Sequence, residues 1–240
     1  MSVSQHTIAG TVLTMPVIIR KADQHSAMFS VDAKAAQRLI DYSGLQVFEY
    51  LPGRAILLQL LVRYIDGDLG QYHEYGTAFM VQPPGSTLRG IRSLAKAATF
   101  IHQLPVDQEF TLEAGRTIWG YPKIMADFTV REGAQFGFDV AVEGSGIVRM
   151  DFAPGLPIPS KLTSKPQVLN TYTYAEGTTR EVPWEMRNSN VRFRPGGATL
   201  RLGNHPYAKE LAALGLPKRA MVSGSVGHLE MTFGDAHPIG

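Results

Sequence analysis

The chain has 240 residues, 44% of them hydrophobic, and its 23 basic and 21 acidic side chains give a formal net charge of +2. This length and composition suit a single domain over residues 1–240 with a substantial core. The basic residues form no run that would indicate a nucleic-acid partner, no apolar stretch is long enough to span a bilayer, and the absence of cysteine excludes disulfides and thiolate chemistry.

The N-terminus carries no targeting pattern. Residues 1–10 are polar and lack the basic-then-apolar order of a secretory signal. We therefore expect residues 1–15 to form a loose tail ahead of the domain. The chain has neither cysteine nor a signal, which is compatible with a reducing compartment, and we expect a cytoplasmic location.

The first half of the chain predicts strands separated by turns. Runs rich in Leu, Ile, Val and aromatic residues, bounded by Gly, Pro or Asp, are typical of strands. Such runs lie at residues 28–31, 45–51, 54–65 and 72–82. Residues 92–102 alternate imperfectly and fit either a strand or a helix, of which the strand is favoured.

Three short helices are predicted. Each follows a residue suited to a helix start and ends near a glycine. They span residues 33–42, 108–114 and 206–214, with Asp107 as the expected cap of the second and Gly115 as its end.

The second half is mostly extended and punctuated by Gly and Pro. The predicted strands lie at 125–132, 136–143, 146–152, 167–174, 179–187 and 218–233, with short extended pieces over 191–202. Together with the short helices, they predict a mainly β, α+β domain in which antiparallel bent sheets form a barrel-like structure around a pocket.

Two polar residues stand out in the predicted strands. Glu74 shares a strand face with Tyr72 and Gly76. A strand carboxylate is ordinarily solvated, but beside a reactive group it could position a substrate or shuttle a proton. Gln59 lies within an apolar strand, either as a core amide bonded to backbone or as a neutral hydrogen-bonding group in the pocket.

The most informative stretch is Glu113–Ala126, EAGRTIWGYPKIMA. Pro122 fixes its own φ and pushes Tyr121 toward an extended conformation, so Lys123 leaves a stiff backbone among aromatic and aliphatic neighbours. Desolvation lowers a lysine pKa, and a neutral amine attacks a ketone to form a Schiff base. The alternative is a lysine whose stem covers apolar surface while its head stays in water.

Two neighbours of this lysine are candidate substrate-binding residues, together with Gln59. Arg116 follows the second predicted helix, so it is either a favourable helix-end cation or a carboxylate clamp that frames the pocket. Tyr121 can both dry and line the surroundings of Lys123.

Two segments carry a family resemblance. Residues 115–123, Gly-Arg-x-x-x-x-Tyr-Pro-Lys, resemble the signature of the acetoacetate decarboxylase family, in which the lysine after the proline forms the imine. Residues 69–76, LGQYHEYG, resemble the family segment with an active-site glutamate, which maps onto Glu74. A weaker similarity extends over roughly residues 25–235.

The resemblance implies an acetoacetate decarboxylase-like, β-barrel-like fold with Lys123 inside. It also implies catalysis by Lys123 and Glu74 on a small keto acid, and a homo-oligomer. No cofactor is expected, because a lysine imine is itself an electron sink.

The sequence departs from the family pattern at four positions. Ile124 replaces a second lysine, Thr117 a usual glutamate, Gln59 another glutamate and Ser30 an arginine. Neighbours on an extended chain point to opposite faces, so the loss at Ile124 matters least. The changes at Gln59 and Ser30 would alter the charge near a substrate carboxylate.

Three functions therefore remain open. Decarboxylation of acetoacetate or a related β-keto acid is the preferred one. The second is a pyruvate-dependent aldolase–dehydratase that uses the same lysine imine, and the third is a non-enzymatic barrel that binds an apolar ligand.

Other chemistry lacks a motif. The seven histidines are scattered without an HExxH pair, so no metal site is expected. The sequence also lacks the Gly-x-Ser-x-Gly elbow, a phosphate-binding loop and a dinucleotide fingerprint.

Overall fold

The computed structural model describes residues 4–163 and 165–239. Most of these residues lie in strands, and the prediction of a mainly β fold is confirmed. The strands are β1 (Gln5–Ile8), β2 (Thr11–Thr14), β3 (Val17–Asp32), β4 (Glu49–Leu51), β5 (Arg54–Gly67), β6 (Tyr72–Val81), β7 (Ala98–Val106), β8 (Lys123–Met125), β9 (Asp127–Arg131), β10 (Phe136–Val142), β11 (Ser145–Phe152), β12 (Leu156–Pro157), β13 (Gln167–Ala175), β14 (Thr178–Pro195), β15 (Ala198–Leu202), β16 (Val222–Phe233) and β17 (His237–Pro238).

The helical segments are short. The α-helices are α1 (Ala33–Ile40), α2 (Glu109–Ala114), α3 (Ser160–Thr163) and α4 (Pro206–Ala213). Three of them, α1, α2 and α4, correspond to the predicted helices. Tighter 3₁₀ turns cover Asp41–Ser43 and Ile91–Lys96, and a wider π-helical turn covers Gly115–Trp119. None of the helices in the described part of the chain combines the length and apolar character that crossing a membrane requires.

The strand predicted over residues 92–102 is wrong in its first part. The chain forms the 3₁₀ turn there, and β7 begins only at Ala98. Leu94 and Ala97 pack against a small apolar cluster that contains Phe48 and Ile56. Side chains three residues apart share a face of a 3₁₀ helix, which explains why the alternation is imperfect.

Seven strands of the large sheet pair in a circuit. The order is β14, β13, β7, β6, β5, β3 and β16. The long strand β14 pairs with β13 through residues 178–186 and with β16 through residues 184–195, so the pairing returns to its starting strand. This bent sheet is the barrel-like structure that the sequence predicted.

The two faces of this sheet carry different clusters. Leu57 and Leu61 of β5 join an outer cluster with Phe138 and Met150 of the second sheet, whose strand order is β15-β11-β10-β9. Val62 and Tyr64 of β5 belong to an inner cluster, against which Leu60 packs. Alternation along β5 therefore separates an outer packed face from an inner face that holds the candidate site.

The expectation of a loose tail over residues 1–15 is wrong for its described part. β1 and β2 form an antiparallel hairpin, with Ile8 and Leu13 buried in the inner cluster. His6 also bonds Asp235 at 2.7 Å. The apolar residues of this short segment are enough to anchor it, whereas residues 1–3 lie outside the described part.

Candidate active site

Lys123 begins β8, which pairs in parallel with β7 and places Lys123 opposite Leu104. Hydrogen bonds fix both the N–H and the carbonyl of its backbone. The Lys123 N–H donates to the carbonyl of Tyr121 at 2.8 Å, and Arg116 Nε donates to the carbonyl of Lys123 at 2.8 Å. Only 3% of Lys123 is exposed, so its side chain runs inward and its amine is not in bulk water.

Three groups surround the amine. Nζ lies 2.9 Å from Oε2 of Glu74 and 2.8 Å from Oγ1 of Thr111. It also lies 5.1 Å from the ring centroid of Tyr72, within range of a cation–π interaction. The amine is thus held by one carboxylate and one hydroxyl against an aromatic ring.

The turn before Lys123 leaves room for its stem. A Cβ at Gly115 would lie 2.6 Å from both Cδ and Cε of Lys123, so only glycine fits. Gly115 is the C-cap of α2, as predicted, but its backbone is still helical and the chain continues into the π-helical turn. That turn ends at Gly120, whose φ of +68° favours glycine.

The second carboxylate oxygen of Glu74 also has a hydrogen-bond partner. Tyr64 donates its hydroxyl to Oε1 of Glu74 at 2.9 Å, and only 8% of Glu74 is exposed. The β5–β6 register places Val62 beside Glu74 and Tyr64 beside Tyr72, whose rings stack with centroids 4.1 Å apart. Both carboxylate oxygens of Glu74 therefore have partners inside the sheet.

Burial controls the protonation of this group. Desolvation lowers the pKa of Lys123 below its usual value, and the charge of Glu74 opposes part of that fall. Burial also raises the pKa of Tyr64, Tyr72 and Tyr121, so their phenols stay protonated and can act as donors. A buried amine whose ammonium form is disfavoured, beside a carboxylate that can accept its proton, is suited to nucleophilic attack on a carbonyl.

The other candidate residues are placed differently. Tyr121 is buried in the inner cluster, and its hydroxyl lies 3.4 Å from that of Thr171. Arg116 is exposed, and its guanidinium bonds the backbone of Lys123. The structure therefore buries Tyr121 in the same cluster as Tyr72, and Arg116 contacts the backbone of Lys123 rather than its amine.

Gln59 does not lie with Lys123. The register pairs it with Thr77, and its side chain bonds the hydroxyls of Thr77 and Tyr75. Because side chains alternate along a strand, these odd-numbered residues point away from the face of Glu74. This fits the interpretation of Gln59 as a core amide, although hydroxyls rather than backbone satisfy it.

The N-cap of α2 is Gln108 rather than the predicted Asp107. Gln108 is the N-cap of α2 and accepts from Thr111 N–H at 2.9 Å. Asp107 instead accepts from the backbone N–H of His73 at 2.7 Å and pairs with its ring at 2.6 Å. Asp107 therefore binds His73 at the start of β6 and does not cap the helix.

Sequence reasoning missed two groups that touch Lys123 and Glu74. Thr111 precedes Gly115 by four residues, and that spacing places both on one face of a helix, which is a usable signal. Tyr64 gives no such signal, because its contact with Glu74 depends on the β5–β6 register.

An open cleft of about 500 Å³ adjoins the site on the side of Tyr64 and Tyr72. Polar side chains, including those of Arg63, His73 and Asp107, complete its lining. Within residues 4–163 and 165–239, no three His, Cys, Asp or Glu side chains converge as metal ligands would.

Comparison with known sequences relates the chain to one family. The family model described as acetoacetate decarboxylase (ADC) matches residues 6–239. A comparison with curated proteins found no match.

Solved structures share the fold. The acetoacetate decarboxylase from Legionella pneumophila subsp. pneumophila str. Philadelphia 1 has a TM-score of 0.66 at 16% identity, covering 94% of this chain and 87% of that chain. The enduracididine biosynthesis enzyme MppR complexed with pyruvate has a TM-score of 0.60 at 17% identity, covering 94% and 91%.

MppR has also been solved with the condensation product of pyruvate and imidazole 4-carboxaldehyde. An acetoacetate decarboxylase-like enzyme from Sphingomonas wittichii RW1 has a TM-score of 0.55 at 17% identity, covering 92% of this chain and 93% of that chain. At these identities the likeness concerns the fold alone.

Proposed function

The chain belongs to the acetoacetate decarboxylase family, and we propose that it is a lyase that forms a Schiff base between Lys123 and a small keto acid. The proposed reaction is decarboxylation of acetoacetate or a related β-keto acid. The observation that carries the proposal is the buried amine of Lys123, 2.9 Å from Glu74 and 2.8 Å from Thr111.

The proposed reaction begins with a proton transfer from Lys123 to Glu74. The neutral amine attacks the ketone carbon, and Glu74 returns the proton to the carbinolamine oxygen, which leaves as water. The iminium then accepts the electron pair of the carbon–carbon bond that breaks as carbon dioxide leaves. Protonation of the resulting enamine and hydrolysis of the imine release the ketone and restore Lys123.

The surroundings support the bond-breaking step. Tyr64 and Thr111 fix the carboxylate and the amine, which reduces the motion needed to reach the reactive geometry. An apolar environment solvates a substrate carboxylate poorly, whereas carbon dioxide is uncharged, so the inner cluster favours loss of the charge.

The alternative is a pyruvate-dependent aldolase–dehydratase that uses the same imine. The observation that favours it is the pyruvate condensation product bound to MppR, which shares this fold. In that reaction the Lys123 enamine of pyruvate attacks an aldehyde, and water leaves from the adduct.

Borohydride trapping tests the imine. We expect acetoacetate plus borohydride to label Lys123, as located by peptide mapping, and we expect Lys123→Met to remove the label. The exposed Lys209 provides a matched control, since Lys209→Met should keep it. Absence of label from Lys123 with both acetoacetate and pyruvate would remove the proposal and leave the non-enzymatic binder.

Product analysis separates the two reactions. Carbon dioxide release from acetoacetate at an enzymatic rate supports the decarboxylase. Formation of an unsaturated keto acid from pyruvate and an aldehyde, without carbon dioxide release, supports the alternative.

We also propose that the protein is a homo-oligomer, as the family resemblance implies, and that it is cytoplasmic, a location with which the lack of cysteine is compatible. Light scattering of the purified protein tests the assembly, and a monomer at micromolar concentration would contradict it.

A further inference from the structure

A strip of apolar side chains leads away from the site along the inner face. Glu74 and Gly76 are two residues apart on β6 and share that face. The register places Leu60 beside Gly76 and Leu58 beside Ala78. Leu60 and Leu58 are therefore about 7 Å and about 13 Å along the strand from the level of Glu74.

Leu104 connects this strip to the reactive lysine. Leu104 lies opposite Lys123 in the β7–β8 pairing. A Cβ at Gly76 would lie 3.1 Å from Cδ2 of Leu60 and 3.5 Å from Cδ1 of Leu104, so the two leucines flank the same glycine. An apolar path thus begins beside the amine.

The strip continues across the neighbouring strands. Leu58 pairs with Met28 of β3, and Met28 pairs with Val222 of β16. On the other side, Ala78 of β6 pairs with Ile101 of β7. Direct partners in antiparallel strands project to the same face, so these side chains line one continuous inner surface.

This surface is only half-buried, whereas the opposite face is sealed. Leu58 and Leu60 keep intermediate exposure, while Leu57 is 0% and Leu61 1% exposed. Partial exposure inside a ring of strands indicates open space along them. A cavity of about 190 Å³, lined by Met28 among other residues, lies at the β3–β16 end of the strip.

The strip offers no nearby cation to a second carboxylate. The residues compared are the described inward-facing ones of β16, β3, β5, β6 and β7 that lie between the levels of Val62 and Ile56. Among their side chains, Glu74 is the only one that carries a charge. The guanidinium of Arg54 bonds Ser30, which pairs with Ile56, about 20 Å along the strand from the level of Val62.

On the remaining ring strands, Arg180 lies near Gly120 and is paired with Glu176 at 2.8 Å, while Arg192, which also lines the cavity, donates to the carbonyl of Gly155 at 3.0 Å. A substrate group that extends from the amine along the strip therefore meets apolar surface rather than a counter-ion.

We propose that the substrate is a β-keto acid whose ketone carries an unbranched alkyl chain that lies along this strip. The strip is formed by Met28, Leu58, Leu60, Ile101 and Val222, together with Val226 of β16, which pairs with Gln24 of β3 and lines the same cavity as Met28. This inference rests on the proposed Schiff-base function and names its substrate class. Each methylene buried against the strip corresponds to about a fourfold gain in binding, so acetoacetate is a poor substrate beside its longer homologues.

A chain-length series tests the inference with the wild-type protein. We expect kcat/KM to rise about fourfold per methylene from acetoacetate to 3-oxopentanoate and 3-oxohexanoate. The diacid 3-oxoglutarate should react more slowly than 3-oxohexanoate, because its second carboxylate finds no partner. A flat series, or a preference for the diacid, would overturn the inference.

A variant of the strip gives a second readout. Leu60→Asn should reduce the preference for 3-oxohexanoate over acetoacetate, while Leu162→Asn, at a leucine that is 75% exposed, should retain it. An unchanged preference in folded Leu60→Asn would count against the strip.

A binding measurement separates this inference from the proposed function. Calorimetry with 2-pentanone, 2-heptanone and 2-nonanone needs no decarboxylation, and we expect the Kd to fall with chain length. Length-dependent binding without borohydride label on Lys123 would remove the enzyme proposal alone. Label on Lys123 with length-independent binding would remove the alkyl strip alone.

Discussion

Replacing Glu74 with glutamine isolates the effect of one buried charge on Lys123. Gln keeps the size of Glu74 and an acceptor for Tyr64, but it removes the negative charge 2.9 Å from Nζ. Burial lowers the pKa of Lys123 and Glu74 raises it, so Glu74→Gln should lower this pKa further.

The magnitude follows from the separation of the charges. At an effective dielectric constant of about 20, two unit charges 2.9 Å apart attract by about 6 kcal/mol. Relaxation of the site and exchange of the proton within the pair reduce this value. We therefore expect Glu74→Gln to lower the pKa of Lys123 below that of the wild type.

Reductive methylation measures the change. The rate at Lys123, followed by peptide mass spectrometry as a function of pH, reports the neutral amine. Glu74→Gln should shift this profile to lower pH, and Glu185→Gln, at an exposed carboxylate, should not. A profile that stays in place or moves to higher pH would refute the role of Glu74 in setting the charge of Lys123.

The same variant should lose catalysis although its amine is more reactive. Without Glu74 no adjacent base takes the proton from Lys123 or returns it to the carbinolamine, so kcat should fall by about 10²-fold or more. Faster methylation of Lys123 together with a lower kcat would show that Glu74 acts in proton transfer and not by making the amine more nucleophilic.

Three further predictions test the packing, the faces and the titration. Gly115→Ala places a methyl 2.6 Å from the Lys123 stem, so borohydride labelling should be lost and the free energy of unfolding should fall by about 1–3 kcal/mol. As a control, Gly133→Ala, with no neighbour closer than 4.0 Å, should keep both the labelling and the stability. Gln59→Met should keep the labelling but lower the free energy of unfolding in urea by about 1–3 kcal/mol, because the Tyr75 hydroxyl loses Gln59 as its acceptor. Loss of the labelling would show that Gln59 contributes to the site. Relative to Lys123→Met, the wild-type free energy of unfolding should rise with pH up to about 10.5, because the unfolded chain holds the proton to higher pH than the folded one; a flat difference would contradict the lowered pKa.

Local patterns in the sequence account for much of the fold. The apolar runs of β5 and β6, the cap of α1 at Asp32 and the stiff Tyr-Pro-Lys segment each depend on neighbours in the chain. The period of two along β6 also placed Tyr72 and Glu74 on one face before any partner strand was known.

What the sequence could not provide depends on register between distant segments. Gln59 and Leu60 differ by one position, and that step decides whether a side chain faces the outer cluster or the amine. The contact of Tyr64 with Glu74 and that of Thr111 with Lys123 likewise join separate elements. The N-terminal hairpin escaped prediction because its turn at Ala9 and Gly10 uses positive φ, at +46° and +79°, without a strong turn motif.

The position of β16 between β3 and β14 has a consequence for biosynthesis. A nascent polypeptide cannot seal the sheet until residues 222–233 have left the ribosome, because one side of β3 and half of β14 lack a neighbour until then. Leu229 and Met231 of this strand belong to the inner cluster that contains Tyr72 and Tyr121, so the apolar surroundings of the site are complete only when β16 has paired. Because burial lowers the pKa of Lys123, the environment of this amine depends in part on a strand that is translated long after the lysine itself.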